Sequence, residues 1–248
     1  MRAIFAVFKR EFALYFRSPI AYAIAFAVLF FMAILFNNFI AVGVQQQYPP
    51  YAPYAPNLLT FLLFLIAPLL TMRLLAEESR EGTLETLMTL PMNESQFIIG
   101  KFLAAWGYYT ILLLVTIIYY TLLWLVGTPD QGTAFASYFG AWLYGGAVIA
   151  VAMIWSAITE DQIVAAFLGA ATVLVLYLAG FAASWVAVQP NTASSLGDFV
   201  RELGLQAHYN DTLAVGIIRA EDILYFVFMI VGALFITTRI VETRRWRA

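Results

Sequence analysis

Cysteine is absent from the 248 residues, so the chain has no disulfide framework, no thiolate nucleophile and no cysteine-based metal site. Charge is nearly as scarce. Asp, Glu, Lys and Arg make up 11% of the chain, against about 25% in soluble domains. Too few charges remain to cover a water-facing surface, and a 63% hydrophobic composition excludes disorder. The apolar surface has to face lipid. Histidine occurs once, at His208, with no ligand cluster beside it in the sequence; an ordinary interfacial histidine is expected there rather than a metal site.

The uncharged stretches are long, and they locate the membrane segments. Nothing charged lies between Arg17 and Arg73, Lys101 and Asp130, Asp130 and Glu160, Asp161 and Asp198, or Asp222 and Arg239. A helix needs roughly 20 residues to cross the hydrocarbon core. The first gap holds two crossings, separated where Gln45, Gln46 and Gln47 run into Pro49, Pro50, Pro53 and Pro56. The expected spans are Ile20–Val44, Leu58–Leu75, Phe102–Val126, Ala134–Ile158, Ile163–Val188 and Ile223–Val241. The sixth is short and is expected to continue past Arg239, whose side chain can reach the headgroups. The fold class is therefore an all-α membrane protein organised as one permease-like domain over 1–248. The first apolar stretch, at about 25 residues, is too long for a cleaved signal, whose apolar region is about 7–15.

Orientation follows from the basic residues. With the amino terminus inside, eleven of the thirteen lie on the cytoplasmic side: Arg2, Lys9, Arg10, Arg17, Arg73, Arg80, Lys101, Arg239, Arg244, Arg245 and Arg247. Arg201 and Arg219 fall outside. Both termini are expected to be cytoplasmic, with Tyr48, Tyr51 and Tyr54 at the outer interface.

Three segments are not spans. Residues 2–17 carry Ile4, Phe5, Phe8, Phe12 and Phe16 at helical spacing, with Arg2, Lys9, Arg10 and Arg17 in other directions. That pattern predicts an interfacial helix, its aromatic face in lipid and its cations on anionic headgroups, in preference to a plain basic tail. In 76–92, Glu77, Glu78, Arg80 and Glu81 carry span two onward without a helix breaker as far as Gly82, and Glu85 follows that glycine. Gly82 permits a turn and Thr83 can cap a short helix presenting Leu84, Leu87 and Met88 before Pro91. Asn93 and Gln96 have the spacing of a capping box that opens the next helix. The residues themselves fit two readings equally: a solvated loop whose leucines cover the span ends, or a docking helix for a partner. The outer segment, 189–222, offers apolar faces at Leu196, Phe199, Val200 and Leu203 and at Leu213, Ile217 and Ile218. It is expected to lie as short helices on the outer surface.

Apart from Arg73 and Arg239 near span ends, no Asp, Glu, Lys, Arg or His falls within these predicted spans, which argues against a proton-coupled carrier. Intramembrane protease signatures are absent, and so is GxxxxGK[ST]: Gly100-Lys101 lacks the earlier glycine and the following hydroxyl residue. No catalysis is expected from this chain. Gly140, Gly145, Gly146 and Ala150, with Gly169, Ala170 and Gly180, are expected to serve close packing within one bundle. Pro68 is expected to bend span two.

The segment EESREGTLETLMTLPMNESQFIIGKFLAA resembles the link between spans two and three of ABC type-2 exporter permeases. KREFALYFRSPIAYAIAFAVLFF resembles that family's amino-terminal interfacial helix and first span, and AHYNDTLAVGIIRAEDILYFVF resembles the outer segment of its gliding-motility-associated subgroup. The resemblance implies a permease of a bacterial inner-membrane exporter, working with a second permease, identical or related, and with two ATP-binding-cassette subunits that bind the ATP and magnesium. It implies that Glu77 to Pro91 form the coupling helix and that Glu160 and Asp161 lie near a second ATPase contact. It also brings in a separate accessory membrane protein with a large outer domain. No nucleic-acid partner is expected. A membrane anchor that moves no substrate and a sodium-coupled carrier remain as other readings.

Overall fold

The computed structural model of the chain describes residues 2–82, 93–187, 199 and 201–245, the side chains of 181–187 and 244–245 excepted. Every regular element among the described residues is helical. They are α1 (Arg2–Arg17), α2 (Pro19–Gln46), α3 (Tyr54–Thr71), α4 (Ala76–Arg80), α5 (Glu94–Val115), α6 (Ile117–Leu123), α7 (Gln131–Ile158), α8 (Gln162–Ala187), α9 (Leu205–Tyr209) and α10 (Ala220–Arg245), with a 3-10 turn at Leu213–Val215. Among the described residues, six helical stretches are long and apolar enough to cross a membrane: α2, α3 with α4, α5 with α6, α7, α8 and α10. They match the six expected spans in order.

Helix ends run past the uncharged gaps, because a helix continues until its backbone is stopped and not until its apolar residues run out. Span three starts at Glu94 instead of Phe102, and span six runs from Ala220 to Arg245. Asn93 takes the extended backbone of an N-cap, yet its side chain makes no capping bond, so the anticipated capping box does not form. Asp130 is a working cap: its carboxylate accepts from the amides of Gly132 and Thr133 and from the Thr133 hydroxyl, and these bonds hold it below the usual carboxylate range.

Span four is the axis of the bundle. Its most apolar stretch is 78% buried, against 22% in spans one and six and 17% in span five. The small residues explain how so many helices reach it. A Cβ added at Gly145 would meet the Tyr109 ring at 2.0 Å, and one at Gly140 would meet Leu213 at 2.7 Å. Tyr109, itself buried, lies in that notch and donates to the Ala141 carbonyl at 2.8 Å. The expected intrabundle role of these glycines is what the packing displays.

Span one is peripheral and is held by three phenols at successive depths. Tyr108 donates to the Ala21 carbonyl (2.6 Å), Tyr119 to Leu29 (3.0 Å) and Tyr54 to Leu35 (3.1 Å).

Two expectations need correction. The outer segment, where described, does not lie flat on the surface. Leu205, Tyr209 and Leu213 are buried, and α9 with the 3-10 turn plugs the bundle end between spans four, five and six, although Phe199, Leu203, Ile217 and Ile218 are exposed. Leu196 and Val200 lie outside the described residues. His208 is buried in this plug rather than facing the interface. Its Nδ1 is 2.8 Å from the Asp222 carboxylate at the start of span six, and its ring stacks on Tyr225 at 3.9 Å.

Candidate functional site

The charged end of the bundle is assembled from α1, α4, the first turns of span three and the turn joining spans four and five. Helix α1 does not simply float in lipid. Val7 seats against Gly100, while Phe8 and Phe12 lie over Gly107, so this side of the helix packs on span three. Phe5 and Phe16 stay exposed, as do Lys9, Arg10 and Arg17. The aromatic stripe is therefore partly packed on protein and partly exposed. Tyr15 adds a bond from its hydroxyl to the Leu70 carbonyl on span two, 2.8 Å.

This docking turns Glu11, the acid on the packed face of α1, toward Lys101. The Lys101 Nζ lies 3.3 Å from Glu11 and 2.9 Å from Glu78, and Arg10 reaches the same Glu78 oxygen at 3.2 Å. Two cations and two carboxylates thus join three separate elements. Lys101 is 1% exposed and Glu11 6%, so the pairing is desolvated, and its members depend on one another. The expectation that no charge enters the spans holds for the apolar stretches but not for the helices. Lys101 sits inside α5 and Glu78 inside α4, where each finds its counterions at the bundle end.

Span two is not the uninterrupted rod that the absence of helix breakers between Ala76 and Glu81 suggests. Helix α3 stops at Thr71, one turn after Pro68, and residues 72–75 form turns before α4 begins. Proline removes a backbone donor within span two, and the interruption that follows needs a partner from elsewhere. Ser156 of span four supplies it. Its hydroxyl accepts from the amides of Leu75 and Ala76, both at 3.1 Å, and faces the Met72 carbonyl at 3.3 Å. Span three has a similar pause at Thr116, whose carbonyl takes the Tyr138 hydroxyl at 2.9 Å.

Helix α4 packs on the adjoining ends of spans four and five. Glu77 and Glu78 are half-buried there, while Arg80, Glu81 and Gly82 are exposed. Gly82 has φ +67°, the left-handed turn expected of it. Glu160 and Asp161 are exposed in the adjacent turn, and Asp161 caps span five through the Ile163 and Val164 amides at 2.7 and 3.2 Å. Glu77, Glu78, Arg80, Glu81, Glu160 and Asp161 therefore share one end of the bundle. Thr83, Leu84, Glu85, Leu87, Met88 and Pro91 lie outside the described residues.

Glu11, Lys101 and Ser156 were not singled out by sequence reasoning. Glu11 offered one signal, being a lone acid in a basic helix; nothing along the chain marks Ser156 as the partner of residues about eighty positions away.

Six apolar helices around a buried small-residue axis, with ionic groups confined to the ends of the bundle, define a multi-pass membrane protein. The chain belongs to the ABC-2 transporter family: the model described as ABC-2 family transporter protein matches residues 7–179, and the family is that of a non-catalytic membrane subunit. No curated protein matches the chain.

Proposed function

We propose that this chain is the permease subunit of an ATP-driven exporter, with ATP and magnesium held by separate ATP-binding-cassette subunits that dock beyond Gly82. The observation carrying this reading is the convergence of exposed Arg80, Glu81 and Gly82 with exposed Glu160 and Asp161 at one bundle end, where α4 touches spans four and five. Family membership supports an ATPase partner. The basic residues favour placing this end, and both termini, in the cytoplasm of a bacterial inner membrane. Residues 83–91 then act as the coupling helix, its Leu84, Leu87 and Met88 seated in a groove on the ATPase.

Work done on that helix reaches the bundle by two routes: through α4 and Ser156 into span four, and through Glu78 and Lys101 into span three and α1. A second permease, identical or related, completes the exporter. Similarity of 207–228 to the gliding-motility-associated subgroup supports that finer assignment and a separate accessory protein with an outer domain. Leu87→Asp, or deletion of 82–91, is expected to abolish co-purification of the ATPase while membrane insertion continues. Full ATPase recovery with either variant overturns the docking role. Purified subunits in vesicles test export directly, and failure to move any candidate substrate with ATP would favour an anchor.

A further inference from the structure

Between α1, the start of span one and the end of span two lies a cavity of about 780 Å³. Four cations and four carboxylates line it. Arg10, Glu11, Glu78 and Lys101 are paired with one another. That leaves Arg17 and Arg73 with Glu77 and Glu81, none of which forms an ion pair with any described side chain. Arg73 gives one bond, from Nη1 to the Ser18 hydroxyl at 3.3 Å, and its buried Nε has no partner. The amino end of the 28-residue α2 opens beside it and adds the positive end of a helix dipole.

The remaining wall is apolar: Leu14, Ile20, Ile24, Leu69 and Leu70. Leu14 and Ile20 are exposed, and they sit where the amphipathic α1 meets the first span. A ligand for this cavity has to match a guanidinium pair, a carboxylate pair and hydrocarbon together. Guanidiniums favour phosphate, which accepts paired N–H bonds. Arg73 lies in the turn before α4, Glu77 in its first turn and Glu81 at its end, so one short stretch of chain brings both a cation and two carboxylates to the cavity wall. The cavity thus offers opposite charges to a single headgroup that carries both a phosphate and an ammonium. Net charge points the same way, since two free cations and two free anions leave the cavity neutral.

We infer that this cavity is a headgroup site for phosphatidylethanolamine: phosphate on Arg17 and Arg73, ammonium on Glu77 and Glu81, acyl chains along the apolar wall. An anionic headgroup such as phosphatidylglycerol leaves both carboxylates facing a negative ligand. The quaternary ammonium of phosphatidylcholine has no N–H to donate. The site does not depend on the transport role.

The test is native mass spectrometry of the full chain, purified in detergent, stripped of lipid, and titrated with each of the three lipids. Phosphatidylethanolamine is expected to bind one molecule per chain ahead of the others. Arg17→Gln with Arg73→Gln is expected to weaken it by about tenfold or more. Glu77→Gln with Glu81→Gln is expected to erase the preference over phosphatidylglycerol. Ile20→Trp leaves every charge in place and fills the apolar side, so it reports on the site if the charge variants do not fold, and it is expected to lower binding as well. Equal binding of all three lipids, preference for phosphatidylglycerol, or unchanged phosphatidylethanolamine binding in the arginine variant or in Ile20→Trp overturns the assignment.

Discussion

The Ser156 hydroxyl lies 3.1 Å from the amide nitrogen of Leu75, so span four holds span two at the point where its helix breaks. Both amides that Ser156 receives belong to buried residues, Leu75 and Ala76. Ser156→Ala strands them without an acceptor and is expected to cost about 1–3 kcal/mol. Ser156→Thr keeps the oxygen and should recover most of it. Thermal unfolding in detergent gives the stability, and hydrogen exchange at 72–80 should accelerate in the alanine variant alone.

Lys101→Met removes the cation shared by Glu11 and Glu78 and leaves the half-exposed Arg10 to serve both. Breaking one member of a buried ionic group typically costs about 3–5 kcal/mol, whereas replacing the whole group by apolar residues is often neutral. The single variant is expected to melt well below the parent and to release α1 to protease. Adding Glu11→Leu and Glu78→Leu should restore much of the loss. A triple variant less stable than the single one would contradict this account.

At the opposite end, His208→Ala leaves the Asp222 carboxylate buried without its ring partner, at a cost of about 3 kcal/mol or more. Asp222→Asn retains an acceptor for Nδ1 and is expected to cost about 1 kcal/mol. The ordering is the prediction, read from unfolding temperatures of the two variants. Equal losses would contradict this account, because Asp222→Asn keeps the His208 ring and its stack on Tyr225.

Gly145→Ala puts a methyl group into the ring of Tyr109, which is buried and hydrogen-bonded and has little freedom to move. Overpacking of this kind costs about 1–3 kcal/mol. Gly43→Ala meets nothing within 4 Å and is the control, expected to leave folded yield unchanged. Size-exclusion profiles after membrane extraction separate the two.

The spans were legible because lipid forbids unpaired charge, so gaps such as Lys101–Asp130 mark them directly. Gly82 was legible too, since a left-handed turn after α4 calls for glycine. What stayed hidden depends on partners far apart in sequence. The break at 72–75 contains no proline or glycine and is stabilised by a serine about eighty residues on. Glu11 reads as a blemish in a basic amphipathic helix until Lys101 is placed beneath it. His208 reads as an interfacial histidine because its aspartate is fourteen residues away and on another helix. Periodicity reports which side of a helix is apolar; it does not report which polar group waits on the neighbour.

Tyr108, Tyr119 and Tyr54 each donate to a carbonyl of span one, at Ala21, Leu29 and Leu35. Each bond within a bilayer is worth on the order of 0.6–2 kcal/mol. Peeling that helix sideways therefore means unfastening all three rivets, at different depths, before any gap opens. Any opening beside span one would leave three phenol hydroxyls without their acceptors.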